Sequence, residues 1–449
     1  MDKNNNVKEE RIQQISCFLE QKKDLNLKEF LNSLKPEDIA EILREFSVED
    51  KISVFKLLNN KSAAVVLDDT DSQTRLQLLQ KIDSNMLAHV LDHMPVDEAA
   101  DIVEEIPEKD RNSILGLLEK KEAKEVKEIL AYPEDSAGRV MNPKSIYVFE
   151  NNDVEDAINC IRNLKVVKDF FYVYVVDNSM HLQGVVSMRK LLTVPKGTLI
   201  KDIMNIEIHS VFVNEDQEKV AMIMKKYDLF SLPVVDNDDC LVGRITFDDI
   251  IDVMDEERGE DISRMTGTIE EEQGTETVFE AAKNRLPWLV ICMIGSIFTG
   301  IVIQLYELTL TEIIALVSFI PVITATGGNS GVQASTVVVR EIALGHMNYT
   351  RVLQEVWRQI KVALGLGLVC GTILSVLANI WKKNTLIGLV VGVAIFLVVV
   401  WSNFVGVITP ILFKKIKVDP AIASGPLITT LNDIIGVFIY LSIATLILL

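Results

Sequence analysis

One carboxylate lies in the middle of an apolar stretch near the end of the chain. Asp433 follows Asn432 and the hydroxyl residues Thr429 and Thr430, within a segment that otherwise reads as membrane-spanning. A charged group there costs roughly 2.5–3.5 kcal/mol on insertion scales, so such residues usually mark ion or proton pathways. Carboxylate, amide and hydroxyl oxygens are the ligands that hard cations take. The pattern predicts a pore ion site at Asp433, Thr429 and Asn432; a hydrogen-bonded packing aspartate is the alternative.

A second apolar stretch is interrupted by a run of small and polar residues. The eight residues from Thr326 to Gln333 include three glycines and two amides, a poor composition for a helix. Non-helical backbone at membrane depth survives only when it is buried in protein or lines water. We predict a broken helix that lines the pathway, with the Asn329 amide among the ion ligands. An interfacial turn between two shorter helices is the alternative.

The densest run of charge lies well before the apolar part of the chain. Its eight acids fall within fourteen residues and are countered by Arg258 alone: Asp248, Asp249, Asp252, Asp255, Glu256, Glu257, Glu260 and Asp261. On a helix these side chains would crowd within a few turns, where like charges destabilise the folded state. A solvated acidic face is the alternative to the divalent-ion site that we favour here.

Charge divides the chain into two parts of opposite character. Residues 284–449 contain ten basic and six acidic residues, a net charge of +4, so the whole-chain charge of −19 leaves −23 for residues 1–283. A part this acidic is a poor ligand for nucleic acid and is repelled by anionic lipid. Cations are its expected partners.

No phosphate-binding loop of the G-x-x-x-x-G-K-[ST] type occurs, and we predict no catalytic residues and no enzyme activity.

The apolar part contains five segments long enough to cross a membrane. They run approximately over Pro287–Tyr306, Ile313–Val339, Gln359–Ile380, Leu386–Phe413 and Ala421–Leu449. Seven basic residues lie in the loops after the second and fourth segments, against two after the third. The excess of basic residues predicts that these loops are cytoplasmic, with a cytosolic N-terminus and an external C-terminus in the cell membrane.

The acidic part contains an internal repeat with a spacing of about sixty residues. Met141-Asn142-Pro143 opens the first copy, which continues through a helical run, Val154–Leu164, to Tyr172–Asp177 and Gly184; the second copy runs from Met204 to Gly243 in the same order. This resembles a tandem pair of CBS modules over about 137–256. Some CBS pairs hold an adenine nucleotide with a Thr/Ser followed three residues later by Asp. Thr246 and Asp249 match, whereas Ser187 and Lys190 of the first copy lack the acid.

Residues 26–130 show apolar positions every three or four residues in short, closely spaced segments. This spacing predicts a small superhelical domain of amphipathic helices. Asp97 and Asp101 lie one turn apart on one of these helices, where acids are also ordinary first-turn residues.

Taken together, the residues resemble the MgtE family of magnesium channels and transporters. The resemblance is carried by Tyr132-Pro133-Glu134-Asp135-Ser136-Ala137-Gly138, Arg285-Leu286-Pro287-Trp288, Gly327-Gly328-Asn329-Ser330-Gly331-Val332-Gln333, Val418-Asp419-Pro420 and Ser424-Gly425-Pro426-Leu427 before Asp433. It implies a homodimer in membrane lipid that imports Mg²⁺, with one Asp433 from each chain at the pore. It also implies regulatory Mg²⁺ held by Asp97, Asp101, Asp216, Glu218, Asp228, Asp249, Asp252, Glu257, Glu260, Asp261 and Asp419.

We therefore predict a multi-domain membrane protein with an α-helical superhelical domain (1–131), an α/β tandem CBS pair (132–256), a plug-like linker helix (257–284) and a five-helix transmembrane domain (285–449). Cytosolic Mg²⁺ is expected to close the pathway, and ATP is a candidate regulator. The alternatives are a CBS-regulated transporter of Co²⁺, Mn²⁺ or Ni²⁺, and a membrane-anchored nucleotide sensor without transport activity.

Overall fold

The computed structural model describes residues 2–163, 170–268, 278–343, 349–423 and 425–449. The chain forms two compact units, Met1–Glu256 and Glu257–Leu449. Part of the predicted linker helix (257–284) lies outside the described residues, and so do Leu164 and Ser424.

The described residues 2–129 form ten helices, most of them eight to ten residues long. They are α1 (Asp2–Glu20), α2 (Asp24–Ser33), α3 (Pro36–Leu43), α4 (Val48–Leu57), α5 (Asn60–Asp69), α6 (Ser72–Leu79), α7 (Ser84–Leu91), α8 (Val96–Glu105), α9 (Glu108–Leu117) and α10 (Lys120–Ile129). Side chains of Ser47, Asn59, Asp71 and Asp83 accept hydrogen bonds from backbone N–H groups at helix starts, which fixes those boundaries.

These helices stack in two alternating rows. The structure packs α3 on α5, α5 on α7, α8 on α10, and α2 on α4. Each helix therefore buries its apolar stripe against a neighbour two positions along the chain, and the stripes join in one core. The predicted superhelical domain is confirmed.

Two copies of one βαββα unit follow. The first copy contains α11 (Ala137–Val140), β1 (Tyr147–Phe149), α12 (Val154–Asn163), β2 (Tyr172–Val176), β3 (Leu182–Ser187) and α13 (Met188–Thr193). The second contains α14 (Ile200–Ile203), β4 (Val211–Phe212), α15 (Gln217–Tyr227), β5 (Ser231–Val235), β6 (Leu241–Thr246) and α16 (Phe247–Thr266). Both sheets pair their first strand parallel and their last strand antiparallel to the middle one, with a register shift at matching positions.

The two copies are joined by reciprocal contacts through glycines. A Cβ at Gly243 would lie 2.5 Å from the Met141 sulfur, and one at Gly184 would lie 2.6 Å from the Met204 sulfur. Each methionine enters one copy and packs on the hairpin of the other, so neither site has room for a side chain. This pseudo-symmetric pair is the predicted CBS tandem, which is confirmed.

The second unit contains the apolar helices. They are α17 (Val278–Leu305), α18 (Glu307–Glu312), α19 (Ile320–Ala343), α20 (Tyr349–Lys382), α21 (Thr385–Lys415) and α22 (Gly425–Leu448), with 3₁₀ turns at Ile314–Phe319 and Pro420–Ala423. Five stretches of the described chain are long and apolar enough to span a membrane: Ala281–Leu305, Ile314–Ala343, Val352–Lys382, Thr385–Lys415 and Gly425–Leu448. The five predicted segments are confirmed.

Helix α20 shows how the charges fit a bilayer. Twenty uncharged residues separate Lys361 from Lys382, and a helix of that length spans about 30 Å, the thickness of a hydrocarbon core. Exposed tryptophans, Trp357 and Trp381, lie near the two lysines, where aromatic side chains favour the membrane surface.

The predicted break at Thr326–Gln333 is wrong, because the whole segment lies inside the continuous helix α19. The glycines permit close packing of helices instead. A Cβ at Gly327 would lie 2.7 Å from Val398 of α21, and one at Gly331 would lie 2.3 Å from the Asn432 amide nitrogen of α22. Small residues at a helix crossing let backbones approach, which outweighs the low helix propensity of glycine. The irregular backbone lies earlier, at the 3₁₀ turn Ile314–Phe319.

Gly331→Ala is expected to lower the stability of the apolar unit by about 1–3 kcal/mol, because the added methyl group overlaps Asn432, Ile428 and the Ser402 carbonyl oxygen. Thermal unfolding of the purified chain in detergent measures this. Gly365→Ala on α20 is the matched control, since its Cβ meets nothing within 4 Å. Equal unfolding temperatures for both variants would contradict the packing role of Gly331.

Candidate ion pathway and acidic sites

Asp433 lies on α22 with its side chain half-buried. Its neighbour Asn432 is only 1% exposed and faces α19 at Gly331, whereas Gly436 and Tyr440 continue the buried face of α22. That buried face fixes the rotation of α22, because α19 and α21 pack against it. Asp433 is therefore held about 100° away from the buried stripe.

The other three predicted pore ligands, Thr429, Asn329 and Asn432, differ in their burial and contacts. The Thr429 hydroxyl donates to the Gly425 carbonyl oxygen at 2.9 Å, and its methyl group touches α19 at Gly328. Asn329 is exposed on α19. Among the described residues, neither polar atom of the Asn432 amide has a hydrogen-bond partner. The assignment of Thr429, Asn432 and Asn329 to the pore remains a prediction.

In the first unit, two acids meet where α8 approaches α16. Burial, followed by the charge of Asp249, raises the pKa of Asp97 to about 7, and burial raises the pKa of Asp249 to about 6. Asn142 Nδ2 donates a hydrogen bond to Asp97 Oδ1 at 3.0 Å. These carboxylates come from elements about 150 residues apart, and they retain a mutual repulsion that a cation would remove.

Asp101, one turn further along α8, has a cationic partner instead. Arg139 contacts the Asp101 carboxylate at 2.9 Å and also pairs with Glu104. Burial nevertheless raises the pKa of Asp101 to about 6. Asp252 on α16 also has a raised pKa, from burial and then from neighbouring acids that include Asp69 of α5. Acids of α16 therefore repel an acid of α8, through Asp249 and Asp97, and an acid of α5, through Asp252 and Asp69.

The three acids predicted on the second CBS copy do not form one site. Asp216 caps α15 by accepting from the Glu218 N–H at 2.9 Å, and Glu218 lies in the first turn. Asp228 lies at the other end with φ 52°. Eleven helical residues separate the two ends by about 16 Å, too far for one ion to reach both.

The last predicted set lies in the second unit, around the end of α16. Burial, then the charges of Asp419 and Glu257, raises the pKa of Asp261 to about 6. Arg264 pairs with both Glu260 and Asp419. The sequence indicated the acids but not this arginine, because its partner Asp419 lies 155 residues away along the chain.

Within the described ranges, no three acidic, histidine or cysteine side chains converge in positions that could hold one ion. The acids meet as pairs. Pairs fit Mg²⁺, which keeps several of its waters and is commonly held by only one or two carboxylates.

The nucleotide motif and an aromatic cluster lie side by side. Asp249 Oδ2 accepts hydrogen bonds from the Thr246 hydroxyl at 2.6 Å and its N–H at 2.8 Å. Thr246 pairs across the sheet with Ser231, next to Phe230. The Phe230 ring lies 4.9 Å from that of Phe171, and both are about half exposed. No sequence pattern indicated these rings, which come from matching positions of the two CBS copies.

Comparison with known proteins agrees with this architecture. A family profile described as "MgtE intracellular N domain" matches residues 34–135, CBS domain profiles match 137–197 and 200–256, and a "Divalent cation transporter" profile of MgtE matches 320–443. The magnesium transporter MgtE of Bacillus subtilis is 35% identical over 332 residues, 74% of each chain. The chain belongs to the MgtE family of divalent cation transporters.

Two further relatives bear on this MgtE-family protein. The magnesium transporter MgtE of Enterococcus faecalis is 37% identical over 326 residues, 72% of each chain. A crystal structure of the cytosolic domain of the Mg²⁺ channel MgtE in complex with ATP is 30% identical with a TM-score of 0.50, and the match covers 53% of this chain and 98% of that one. The family consists of transporters rather than enzymes.

Asp97→Asn is expected to flatten the pH dependence of stability. An Asp pKa of about 7 in the folded state, against about 3.9 unfolded, means that the folded state holds the proton more tightly. The parent therefore loses stability as pH rises from about 4 to 7. The asparagine variant should be more stable than the parent above pH 7, by about 1–3 kcal/mol.

Urea unfolding of residues 1–267 at pH 5 and pH 8 tests this, with Glu108→Gln on exposed α9 as the control. Parallel pH profiles for the parent and Asp97→Asn would show that the pair with Asp249 carries no strain.

Proposed function

We propose that this chain imports Mg²⁺ across the cell membrane through a pathway at Asp433. The observation that carries the proposal is a single acid on a spanning helix, with α22 rotated so that Asp433 is not among its fully buried residues. The relatives named magnesium transporter extend over nearly three quarters of the chain, which supports the same cargo.

The side chain suits a hydrated ion. Mg²⁺ is small and dehydrates reluctantly, so proteins hold it by few carboxylates and leave several waters in place. In a homodimer with the pore on its two-fold axis, two Asp433 carboxylates would face each other and supply the charge. Thr429 and Asn329 would contribute neutral oxygens through water.

Asp433→Asn is expected to reduce Mg²⁺ flux at least tenfold. The substitution preserves shape and removes the charge, and two charges ~4 Å from an ion contribute several kcal/mol at an effective dielectric near 20. The measurement is Mg²⁺ uptake into vesicles containing the purified chain. Asp433→Glu keeps the charge and should retain more flux, and Thr429→Ala should do less harm because water can replace a neutral ligand.

Elution volume and unfolding temperature of each variant must match the parent, since misfolding would imitate loss of transport. Wild-type flux and selectivity in a well-folded Asp433→Asn protein would exclude this residue as the ion site.

Regulation follows from the acidic pairs. Asp97 with Asp249, Asp252 with Asp69, and Asp261 with Asp419 hold like charges close together. Mg²⁺ binding would convert each repulsion into a bridge and so favour the compact arrangement, which we assign to the closed state. In this proposal the soluble unit is cytosolic, as the basic loops predicted. The sensor domain ends at residue 131, the CBS pair at residue 256 and the linker at residue 284, where the pore domain begins.

A nucleotide is the second proposed ligand. Thr246 and Asp249 supply the motif that holds a ribose, and the exposed ring pair Phe171 and Phe230 offers apolar faces of the kind that a purine stacks on. The related cytosolic domain was solved with ATP. We propose that ATP binds beside this aromatic pair and tunes the Mg²⁺ response.

Phe230→Ala is expected to weaken ATP binding by residues 1–267 about tenfold, since aromatic contacts and area burial together are worth roughly 1–2 kcal/mol. Calorimetry measures the affinity. Phe149→Ala, which removes an exposed ring from β1, is the matched control. If the parent binds no ATP, the nucleotide role is discarded; if Phe230→Ala binds as tightly as the parent, the site lies elsewhere.

A further inference from the structure

Arg264 joins two parts of the second unit through one guanidinium group. One nitrogen pairs with Glu260, a turn earlier on α16, and another pairs with Asp419 Oδ2, in the segment between α21 and α22. The remaining oxygen of Asp419, Oδ1, accepts from the Ala421 N–H at 2.8 Å. Both oxygens of Asp419 are therefore engaged by the protein itself.

Close backbone packing holds this contact in place. A Cβ at Gly425 would lie 2.8 Å from the Met265 carbonyl oxygen, directly after Arg264. Gly267 has φ +77°, and a Cβ there would lie 3.3 Å from Pro426 and from the ring of Trp288. The end of α16 thus rests on the first turn of α22 and on α17. A cation in the last turn of a helix is also favoured by the helix dipole.

The acids around Arg264 exceed the charge that it supplies. Asp261, next to Glu260, still experiences repulsion from Asp419 and Glu257. Glu260 and Asp419 are only partly exposed, at 29% and 25% of their side chains. A second cation would be attracted here, yet the oxygens of Glu260 and Asp419 are already shared with a guanidinium.

We infer that Arg264 is a tethered counter-ion that competes with Mg²⁺ for Glu260 and Asp419 and so sets the Mg²⁺ level at which the transporter closes. The inference rests on the proposed regulation and adds a residue to it. With Arg264 in place, the end of α16 stays docked on α22 without a metal ion. Mg²⁺ must displace a guanidinium that is already bound, which weakens its apparent affinity.

Arg264→Gln tests this in the full-length protein reconstituted in vesicles. Flux is measured as Mg²⁺ is titrated on the side of the soluble unit. Ion pairs that are partly exposed are worth about 0.2–1 kcal/mol, so the half-inhibiting concentration should fall roughly 1.4- to fivefold in the variant. Flux without Mg²⁺ on that side should rise, because the docking contact then has no cation. Mn²⁺ titration followed by electron paramagnetic resonance should show tighter binding in the same variant.

Two controls separate this role from a general charge effect. Lys417→Gln removes an exposed basic residue from the same connecting segment as Asp419 and should leave the half-inhibiting concentration unchanged. Arg264→Lys keeps the charge but loses the planar fork that reaches two carboxylates, so its shift should have the same direction and a smaller size. If Arg264→Gln does not fold, Arg264→Lys serves as the test instead. An unchanged half-inhibiting concentration in Arg264→Lys would then overturn the inference.

The outcomes distinguish the two levels of the proposal. A parent protein that Mg²⁺ does not inhibit would refute the proposed regulation and this inference together. Normal inhibition of the parent, with an unchanged or raised half-inhibiting concentration in Arg264→Gln, would refute the role of Arg264 alone.

Discussion

Repulsion between carboxylates held close together is the interaction on which this structure's behaviour depends. Asp97 faces Asp249 in the first unit, and Asp261 faces Asp419 in the second. In each case partial or complete burial weakens solvent screening, so each pair costs free energy that a divalent cation would recover. The protein supplies its own cation at some of these places, Arg139 at Asp101 and Arg264 at Asp419. In the proposed regulation, the balance between tethered and soluble cations sets the response to Mg²⁺.

Helix packing in the second unit holds one acid, Asp433, in a fixed orientation within an apolar bundle. Glycines at the crossing of α19, α21 and α22 bring the backbones together, and a Cβ at Gly406 would lie 2.3 Å from the Gly331 carbonyl oxygen. Asn403 Nδ2 donates to the Ser330 hydroxyl at 2.5 Å across the same crossing. Tight packing of this kind leaves α22 little freedom to rotate, and the position of Asp433 follows from it.

Sequence reasoning recovered the architecture because its signals are local. Hydropathy predicted the five spans, and the repeated order of landmarks predicted the CBS pair. The predicted helix break at Gly327, Gly328 and Gly331 was wrong, because the low helix propensity of glycine was considered without the neighbouring helices that pack against these positions. The pairing of Arg264 with Asp419 and the ring contact of Phe171 with Phe230 join residues far apart in the chain, and no periodicity indicates such contacts. Asp433 was detectable from sequence because an acid in an apolar run is itself a local signal.

We propose that one chain both conducts Mg²⁺ and senses it through its soluble unit. The most direct measurement is Mg²⁺ flux through the purified protein in vesicles, with Mg²⁺ on the side of the soluble unit either chelated or buffered at millimolar levels. We expect rapid flux with the chelator and strong suppression at millimolar Mg²⁺. Flux that is absent under both conditions, or equally fast under both, would contradict it.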